Sequence, residues 1–432
     1  MDPVTQGVLG AAAAQAVFAR KLPRAAGLVG GLAGMAADLD IFITSATDPT
    51  VAWTFHRHFT HSLAFIPAGG LLCALPFFWF KPFRGARGAV LGAALVGYAT
   101  HGLLDACTSY GTMLLWPFSD RRVAWDWIPI IDPLYTLPLI VGVVWAYRAR
   151  RASPAVRALL LSSLYMVFGI WQHERAARAQ ESLARARGHA AEHARVMPMP
   201  LSLVLWRSLY ITGGQIYVDG LRVPWRGEPR ARAGGVLRRA TPDELPPGAR
   251  ERAEVQRAFG VLEWFADGLV ASLAGPAFGD MRFAIEASSL DPLWGLALDP
   301  AAPGGVKRWG GAALGDRAGQ ARGFWRALVG DDPRFQPLFL VTAARRLAAG
   351  SPDRLLSSLN PNASLTRRGL NEENHASHFA LPGGRRRVRP AAAARRRPGA
   401  QPGQFHRRGA VHLRPWLFRQ VGGRGPTRPG ED

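Results

Sequence analysis

Residues 88–108 read GAVLGAALVGYATHGLLDACT, an apolar run with His101 and Asp105 near its end. A run of about 20 apolar residues is long enough to cross a bilayer as one α-helix. On such a helix the two ionisable residues, spaced at i and i+4, share one face and can reach the same ion. The stretch therefore predicts a membrane helix that carries reactive side chains towards one of its ends.

Further apolar segments lie on both sides of this helix, at residues 4–19, 25–45, 62–80, 128–147 and 155–171. In the second of them, closely spaced glycines form small-xxx-small pairs on which another helix can pack: Gly27, Gly30, Gly31 and Gly34. The first and last segments are marginal in length. We predict an α-helical polytopic membrane domain of about five or six helices over residues 1–172.

The rest of the chain differs in composition. A mean hydropathy of +0.01 is high for a formal charge of +22, so hydrophobic and charged residues must be segregated. Residues 173–350 predict a small α+β domain, with an exposed helical stalk at 173–195, strands at 202–210, 215–218 and 281–286, turns at 213–214 and 219–220, and a helix at 248–272. Residues 351–432 are rich in Arg, Pro and Gly. They predict a disordered tail or, equally, the translation of a shifted reading frame.

The basic residues of the short loops predict the orientation in the membrane. Clusters of Arg and Lys at residues 20–24, 81–87 and 148–157 fall on one side if all six apolar segments cross. That side is expected to be the cytoplasm, because cytoplasmic loops are enriched in Lys and Arg. His101, Asp105 and the extracytoplasmic domain at 173–350 are then expected to face outward from a bacterial inner membrane.

The overall charge and the cysteines argue against other classes of protein. A pI near 11.4 is compatible with nucleic acid binding, but no motif organises the basic residues, so the lipid bilayer is the expected partner and nucleic acid is not. Cys73 and Cys107 lie in apolar runs, which predicts neither a disulfide framework nor a CxxC metal pair. No cleavable signal peptide is expected, because no basic region precedes the first apolar stretch.

Acids and imidazoles recur near the outward ends of several segments: Asp38, Asp40, His56, His58, His61, His101 and Asp105. An aspartate at a helix centre costs about 2.5–3.5 kcal/mol to insert, and somewhat less towards the interface, so charges at this depth need compensation. A divalent cation supplies it, because imidazole and carboxylate are its natural ligands. The sequence therefore predicts a metal site, with the metal open between zinc and manganese.

Some candidates have a second interpretation. Asp38 and Asp40 are two positions apart, which is roughly 200° on an α-helix, so both reach one ion only if the helix ends near them. Otherwise one of them orients a histidine. Asp126 and Asp132 are also expected at the outward face, or they shape the start of the helix at 128–147. Arg57 is a candidate for binding an anion such as phosphate, or a lipid headgroup.

A metal with an open coordination position activates water and polarises a carbonyl or phosphoryl oxygen, so hydrolysis is the expected chemistry. A site at headgroup depth favours a lipid or lipid-linked ester or phosphoester as substrate. A non-catalytic envelope or stress-response regulator, with a structural metal, is the alternative. A transporter is less favoured, because neither midplane charges nor an inverted repeat are evident. The oligomeric state is not predictable from the sequence.

Several specific motifs occur in the first 145 residues: DPVTQG at 2–7, ADLD at 37–40, HRHFTHS at 56–62, HGLLD at 101–105, TSYGT at 108–112, WPFSDRR at 116–122 and IDPLY at 131–135. Together they resemble the YdjM-like family, whose members are usually described as inner-membrane, metal-dependent hydrolases. WFADG at 264–268 and GDMRF at 279–283 are similar to the C-terminal domain of longer members.

The resemblance implies an outward-facing His/Asp site that involves Asp38, Asp40, His56, His61, His101 and Asp105. Among these residues we expect Asp38, His56, His61, His101 and Asp105 to bind the metal, and Asp40 and Asp105 to take part in catalysis. Two residues depart from the family pattern, since Gln6 stands where many relatives carry His, and His58 stands where the usual motif has Gly. We therefore expect supporting or anion-binding positions for Gln6, Arg57, His58, Asp126 and Asp132.

Overall fold

A computed structural model of the protein describes residues 1–310 and 317–338 of the 432-residue chain. The N-terminal region is helical, with α1 at Pro3–Phe18, α2 at Ala25–Met35, α3 at Val51–Phe55, α4 at Ile66–Phe78, α5 at Arg87–Ala106, α6 at Pro133–Ala149 and α7 at Ser153–Ala186. Two antiparallel sheets follow it. The predicted tail at 351–432 lies outside the described residues.

Among the described residues, three helical stretches are long and apolar enough to cross a membrane: Ala25–Phe42, Lys81–Ala106 and Ser153–Ala186. A fourth exists if Val51–His61 and Leu63–Phe78, which meet at a 58° bend, form one broken span. The prediction of five or six membrane helices was therefore too high. Both α1 and α6 are helical, but with 16 and 17 residues they are shorter than a typical span.

Glycines allow α1, α2 and α5 to approach one another closely. A Cβ atom on Gly30 of α2 would lie 2.2 Å from the Cβ of Ala14 and 2.5 Å from the carbonyl oxygen of Gly10, both in α1. On the other side, a Cβ atom on Gly97 of α5 would lie 2.2 Å from the carbonyl oxygen of Gly30. The predicted packing role of the small-residue face is confirmed, and this face holds α2 directly against α5.

Helix α7 covers the predicted apolar segment at 155–171 and continues without a break to Ala186, so the predicted stalk is helical up to that residue. The predicted exposure of the stalk was wrong, because one face of this extension is buried: Ala176, Ala179, Gln180 and Leu183. The Nε2 atom of Gln180 donates to the carbonyls of Arg195 and Leu209 at 2.9 and 3.1 Å. Helically spaced small residues form this packing face despite the Arg- and Glu-rich composition.

The C-terminal region has α+β architecture, as predicted. The first sheet has the order β1 (His193–Pro198), β2 (Leu205–Thr212), β3 (Gln215–Arg222), β4 (Arg230–Arg238) and β9 (Gln336–Pro337). The second has the order β5 (Val270–Ser272), β6 (Ala277–Asp280), β7 (Trp294–Leu298) and β8 (Val306–Gly310). Helices α8 (Pro247–Arg250) and α9 (Ala253–Phe265) lie between the sheets in the chain, and α10 (Arg317–Val329) precedes β9.

Several predicted elements of this region need correction. The turn at 213–214 is confirmed, with positive φ at both glycines, but 219–220 lies inside β3, where the register shift of a β-bulge replaces the predicted turn. The helix predicted at 248–272 is shorter, since α9 covers only Ala253–Phe265. The strand predicted at 281–286 is wrong. Asp280 ends β6, and its carboxylate accepts from the backbone N–H of Arg282 at 3.1 Å, which closes a turn.

The close contact of α1, α2 and α5 is testable by enlarging a glycine. We expect Gly30→Leu to lower the free energy of unfolding by about 3 kcal/mol, because overpacking forces the neighbouring backbones apart. The measurement is thermal unfolding of the detergent-purified protein, followed by tryptophan fluorescence. Gly88→Leu is the matched control, since a Cβ atom there meets nothing within 4 Å. Equal losses of stability in both variants would contradict the packing role.

Candidate metal site

Four ionisable side chains from three segments of the chain converge on one point. Asp38 follows α2, His61 precedes α4, and His101 and Asp105 belong to α5. One ligand atom from each residue lies within 4.8 Å of the others. The side chains of both histidines and of Asp105 are fully buried, whereas that of Asp38 is 21% exposed. The folded apolar segments thus bring together acids and imidazoles that the sequence analysis predicted as metal ligands.

His101 is oriented by the end of α2. Its Nδ1 atom lies 2.6 Å from the carbonyl oxygen of Gly34. Because a carbonyl only accepts, this hydrogen bond assigns the proton to Nδ1 and leaves a lone pair on Nε2. The Nε2 atom lies 3.4 Å from Asp38 Oδ1 and 3.5 Å from Asp105 Oδ2. The tautomer is therefore the one that a metal-binding histidine needs.

His61 is held in a similar way, but by a carboxylate. It ends a short 3₁₀ turn, Phe59–His61, and its Nδ1 atom lies 3.2 Å from Asp40 Oδ2 and 3.0 Å from Thr60 Oγ1. Its Nε2 atom lies 3.2 Å from Asp105 Oδ2. A carboxylate that accepts from one ring nitrogen fixes the ring and increases the basicity of the other nitrogen. Asp40 therefore prepares His61 for metal binding.

Asp40 is buried and organises the loop that contains the histidines. Its Oδ1 accepts from His56 Nδ1 at 2.8 Å, and its Oδ2 accepts from the backbone N–H of Arg57 and the hydroxyl of Thr60, both at 2.9 Å. Arg57 has a φ of 61°, in the left-handed region that non-glycine residues rarely adopt. The hydrogen bonds to Asp40 hold this turn. Asp38, Asp40 and His56 also form a second group of potential ligands that shares Asp38 with the first.

The end of α2 explains how two aspartates only two positions apart both reach the site. The α-helix stops at Met35, and Ala36–Phe42 continues as a 3₁₀ helix with about three residues per turn. The helix thus ends close to the pair, which was the condition for their convergence. Asp38 joins the central group, while Asp40 reaches the histidine loop beside it.

Asp105 is fully buried, and its two oxygens have different surroundings. Oδ1 accepts from Gln6 Nε2 at 2.9 Å and contacts the α-amino group of Met1. Oδ2 accepts no hydrogen bond, although Arg57 Nε, His61 Nε2 and His101 Nε2 lie 3.1, 3.2 and 3.5 Å away. Arg57 offsets the charge of this buried carboxylate, but the lone pairs of Oδ2 accept no hydrogen bond beside the two histidines. Oδ2 is therefore available as a ligand atom.

The donor set fits a divalent metal ion. The Nε2 atoms of His61 and His101 face each other at 2.9 Å, while the Nδ1 atom of each ring already lies against an acceptor. Two lone pairs at this distance repel each other unless a proton or a cation lies between them. Two imidazole nitrogens with carboxylate oxygens from Asp38 and Asp105 form a ligand set suited to zinc or manganese.

Three candidates from the sequence lie elsewhere. His58 is outside both groups, and its ring packs against Trp116 at a centroid distance of 5.7 Å. Asp126 forms an ion pair with Arg195 at 2.7 Å. Asp132 caps α6 by accepting from the backbone N–H of Leu134 at 3.0 Å, so it shapes the start of that helix, which was its alternative interpretation. Gln6 and Arg57, in contrast, contact Asp105 directly.

The C-terminal region packs onto the loops of the site. Phe265 of α9 stacks on Trp53 at a centroid distance of 5.6 Å and meets the ring of Tyr110 at 5.1 Å. Arg282 donates to the carbonyl of Tyr110 at 3.2 Å. The Tyr110 ring in turn lies 5.3 Å from that of His56. The only sequence signal for this contact was the resemblance of the motifs at 264–268 and 279–283 to the C-terminal domain of longer family members.

Arg122 contacts the loops of the site, although the sequence analysis named it only as part of a motif and gave it no role. Its Nη2 atom donates to the carbonyls of His56 and Gly111 at 3.3 and 2.7 Å, while Nε and Nη1 are buried without a hydrogen-bond partner. Burial lowers the pKa of Arg122 to about 9, and the nearby charges of Arg282 and Arg57 contribute to the shift. The signal that pointed to it was its position at the end of the WPFSDRR motif.

The described residues define a class: a protein whose N-terminal region is helical, with three or four candidate membrane spans and a buried His/Asp cluster that could hold a metal ion. Residues 1–176 match the family model described as YdjM inner membrane protein. The N-terminal region is therefore similar to this family, which confirms the predicted resemblance, and the family description together with the apolar helices favours an inner-membrane location. The match covers the first 176 of 432 residues and does not extend to the sheets. No curated protein matches the chain, and no solved structure does either.

The placement of Asp126 outside the site is testable. Burial opposes the charge of Arg195, yet Asp126 raises the pKa of this guanidinium above its usual value. We expect Asp126→Asn to lower the free energy of unfolding by about 3 kcal/mol, because it removes the nearest carboxylate from a buried charge and leaves only Asp267 at 3.6 Å. Thermal unfolding measures this loss, and Asp120→Asn at an exposed position is the control. A stable Asp126→Asn variant would contradict the structural role.

Proposed function

We propose that the protein is an inner-membrane, metal-dependent hydrolase that cleaves an ester or phosphoester at the outer face of the membrane. The observation that carries this proposal is the convergence of Asp38, His61, His101 and Asp105, with ligand atoms within 4.8 Å of one another. Both histidines have their Nδ1 atoms against acceptors, which prepares their Nε2 atoms for one cation.

A divalent ion in this group supplies Lewis acidity and lowers the pKa of water. The chain itself supplies orientation and proton transfer. His61 and His101 are held by Asp40 and by the Gly34 carbonyl, so their rings do not need to reorganise. Arg57 places its Nε atom 3.1 Å from Asp105 Oδ2 and its Nη1 atom 3.1 Å from Thr108 Oγ1. Its charge thereby balances the buried carboxylate.

We assign proton transfer to the pair of His56 and Asp40. The carboxylate of Asp40 holds the Nδ1 atom of His56 at 2.8 Å, which leaves Nε2 available to accept a proton from water. The His56 side chain is 21% exposed, unlike the fully buried His61 and His101. This assignment replaces the roles predicted from the sequence, in which Asp40 was catalytic and His56 was a ligand.

The surroundings of Asp38 support a substrate from the bilayer. Leu39, Ile41 and Phe42 are 63, 60 and 77% exposed, and they flank the partly exposed Asp38 in the same 3₁₀ segment. Apolar side chains of this kind are stable against lipid, so a lipid or lipid-linked molecule reaches Asp38 without crossing water. The outward orientation is supported by the basic clusters at residues 20–24 and 81–87, which lie at the N-terminal ends of the candidate spans Ala25–Phe42 and Lys81–Ala106, whereas Asp38 and Asp105 lie near the C-terminal ends.

A non-catalytic regulator with a structural metal is the second candidate. Four protein side chains already converge on one point, which is the number of ligands in closed structural zinc sites. Metal binding without hydrolysis of any ester or phosphoester would favour this candidate over the enzyme.

The metal site is tested by mass spectrometry of the full-length, detergent-purified chain. We expect about one zinc or manganese ion per chain in the wild type and almost none in the His101→Ala/Asp105→Ala double variant, which loses two ligands. The matched control is His58→Ala, in the same loop as His61 but outside both groups, and it should keep its metal. An apo wild type after supplementation with both metals overturns the site, and two ions per chain would make His56 a ligand.

The proton-transfer assignment is tested by activity. On a chromogenic phosphodiester or ester that the wild type hydrolyses, we expect His56→Ala to lower kcat by about 10²- to 10⁴-fold, the usual contribution of a general base. Metal content should remain near that of the wild type, and His58→Ala should keep its activity. A His56→Ala variant with full activity would refute the role of the pair.

A further inference from the structure

A partly enclosed cavity, lined by none of the residues of the His/Asp constellation, lies where the membrane region meets the first sheet. Its volume is about 70 Å³. The polar residues that line it include Ser109 from the loop after α5, Arg207 of β2 and Arg282. The remaining lining is mostly apolar and includes Met197, Phe283 and Leu293. A cavity needs roughly 10–15 Å³ to hold one water molecule, so this cavity is large enough for a small organic ion.

Arg207 is buried in the wall of this cavity with only part of its guanidinium bonded. Nε donates to the carbonyl of Met281 at 2.8 Å, and Nη1 donates to the carbonyl of Ala287 at 2.9 Å. Its Nη2 atom has no hydrogen-bond partner, although the residue is only 1% exposed. Within residues 1–310 and 317–338, no carboxylate lies at ion-pair distance from it, whereas the neighbouring Arg282 is paired with Asp280 at 2.8 Å.

An unpaired buried guanidinium is energetically unfavourable. Carbonyl dipoles replace only part of the water that the charge loses, and removing an ion from water costs several kcal/mol. Burial accordingly lowers the pKa of Arg207 to about 9. An anion would therefore offset the buried charge of Arg207, and the adjacent cavity has room for one.

The second free group in the cavity is the hydroxyl of Ser109, whose Oγ atom is also buried without a partner. A guanidinium Nη2 and a hydroxyl are two donors, which match the two oxygens of a carboxylate. Phosphate has more oxygens than these two free donors satisfy. The apolar side chains of Phe283 and Leu293 in turn fit the hydrocarbon part of a carboxylate. The charge of the unpaired arginine also matches a monoanion.

We propose that this cavity is a binding site for a small aliphatic carboxylate, held by Arg207 and Ser109. The site is independent of the proposed hydrolysis, because it uses none of the residues of the metal group. Its occupation stabilises the junction between the membrane region and the first sheet, since the lining comes from both.

The probe is sodium acetate, with sodium chloride and the neutral isostere acetamide as comparisons at constant ionic strength and pH 7. We expect acetate to raise the unfolding temperature of the full-length, detergent-purified protein saturably, by about 2–5 °C. Chloride and acetamide should not. Arg207→Met should abolish the shift, and Arg230→Met, at an exposed position on β4 of the same sheet, should retain it.

Ser109→Ala tests the site without removing the buried charge. We expect it to need about tenfold more acetate for the half-maximal shift, because it loses one hydrogen bond to a charged group. If Arg207→Met does not fold, Ser109→Ala still tests whether the cavity binds a carboxylate. An equal response to chloride or acetamide, an unchanged response of Ser109→Ala, or no response of the folded wild type would each overturn the proposal.

Discussion

The site depends on one contact, the hydrogen bond between Nδ1 of His101 and the carbonyl of Gly34 at 2.6 Å. The close approach of α2 and α5 allows this bond, since a Cβ atom on Gly97 would lie only 2.2 Å from the carbonyl oxygen of Gly30. The same bond selects the tautomer of His101 that leaves Nε2 free. Helix packing and the geometry of the candidate metal site are thus linked, because small residues let α2 and α5 approach closely enough to orient His101.

The second requirement is a tight, hydrogen-bonded loop between two candidate spans. Asp40 accepts hydrogen bonds from His56, from Thr60 and from the backbone of Arg57, and it thereby holds a left-handed turn in place. The C-terminal region packs on these loops through Phe265, which contacts Trp53 and Tyr110. A domain distant in sequence therefore supports the loop that presents the histidines. This arrangement couples the stability of the sheets to the geometry of the site.

The predictions from the sequence succeeded where a periodic apolar pattern was strong and failed where tertiary contacts decide. The apolar segments became helices, and the small-residue face of α2 packs as expected. The burial of the C-terminal extension of α7 was not predicted, because an Ala-rich packing face is not evident in a sequence rich in arginine and glutamate. Residues 219–220 look like a turn locally, yet pairing with both neighbouring strands keeps them in β3. Cross-strand hydrogen bonds outweigh the local preference of Asp-Gly for a turn.

The sequence by itself determined the candidates for the site, because acids and imidazoles at the ends of apolar segments need a compensating partner. It also determined that His101 and Asp105 share one helical face. Only the tertiary structure decided where each of the other candidates lies. Asp38 joins the central group, and Asp40 orients His61 and His56. Three candidates lie elsewhere: His58, Asp126 and Asp132. The physical reason is that a ligand set requires atoms a few ångströms apart. Separations of that size are set by helix crossings, 3₁₀ turns and loop hydrogen bonds, none of which residue spacing along the chain specifies.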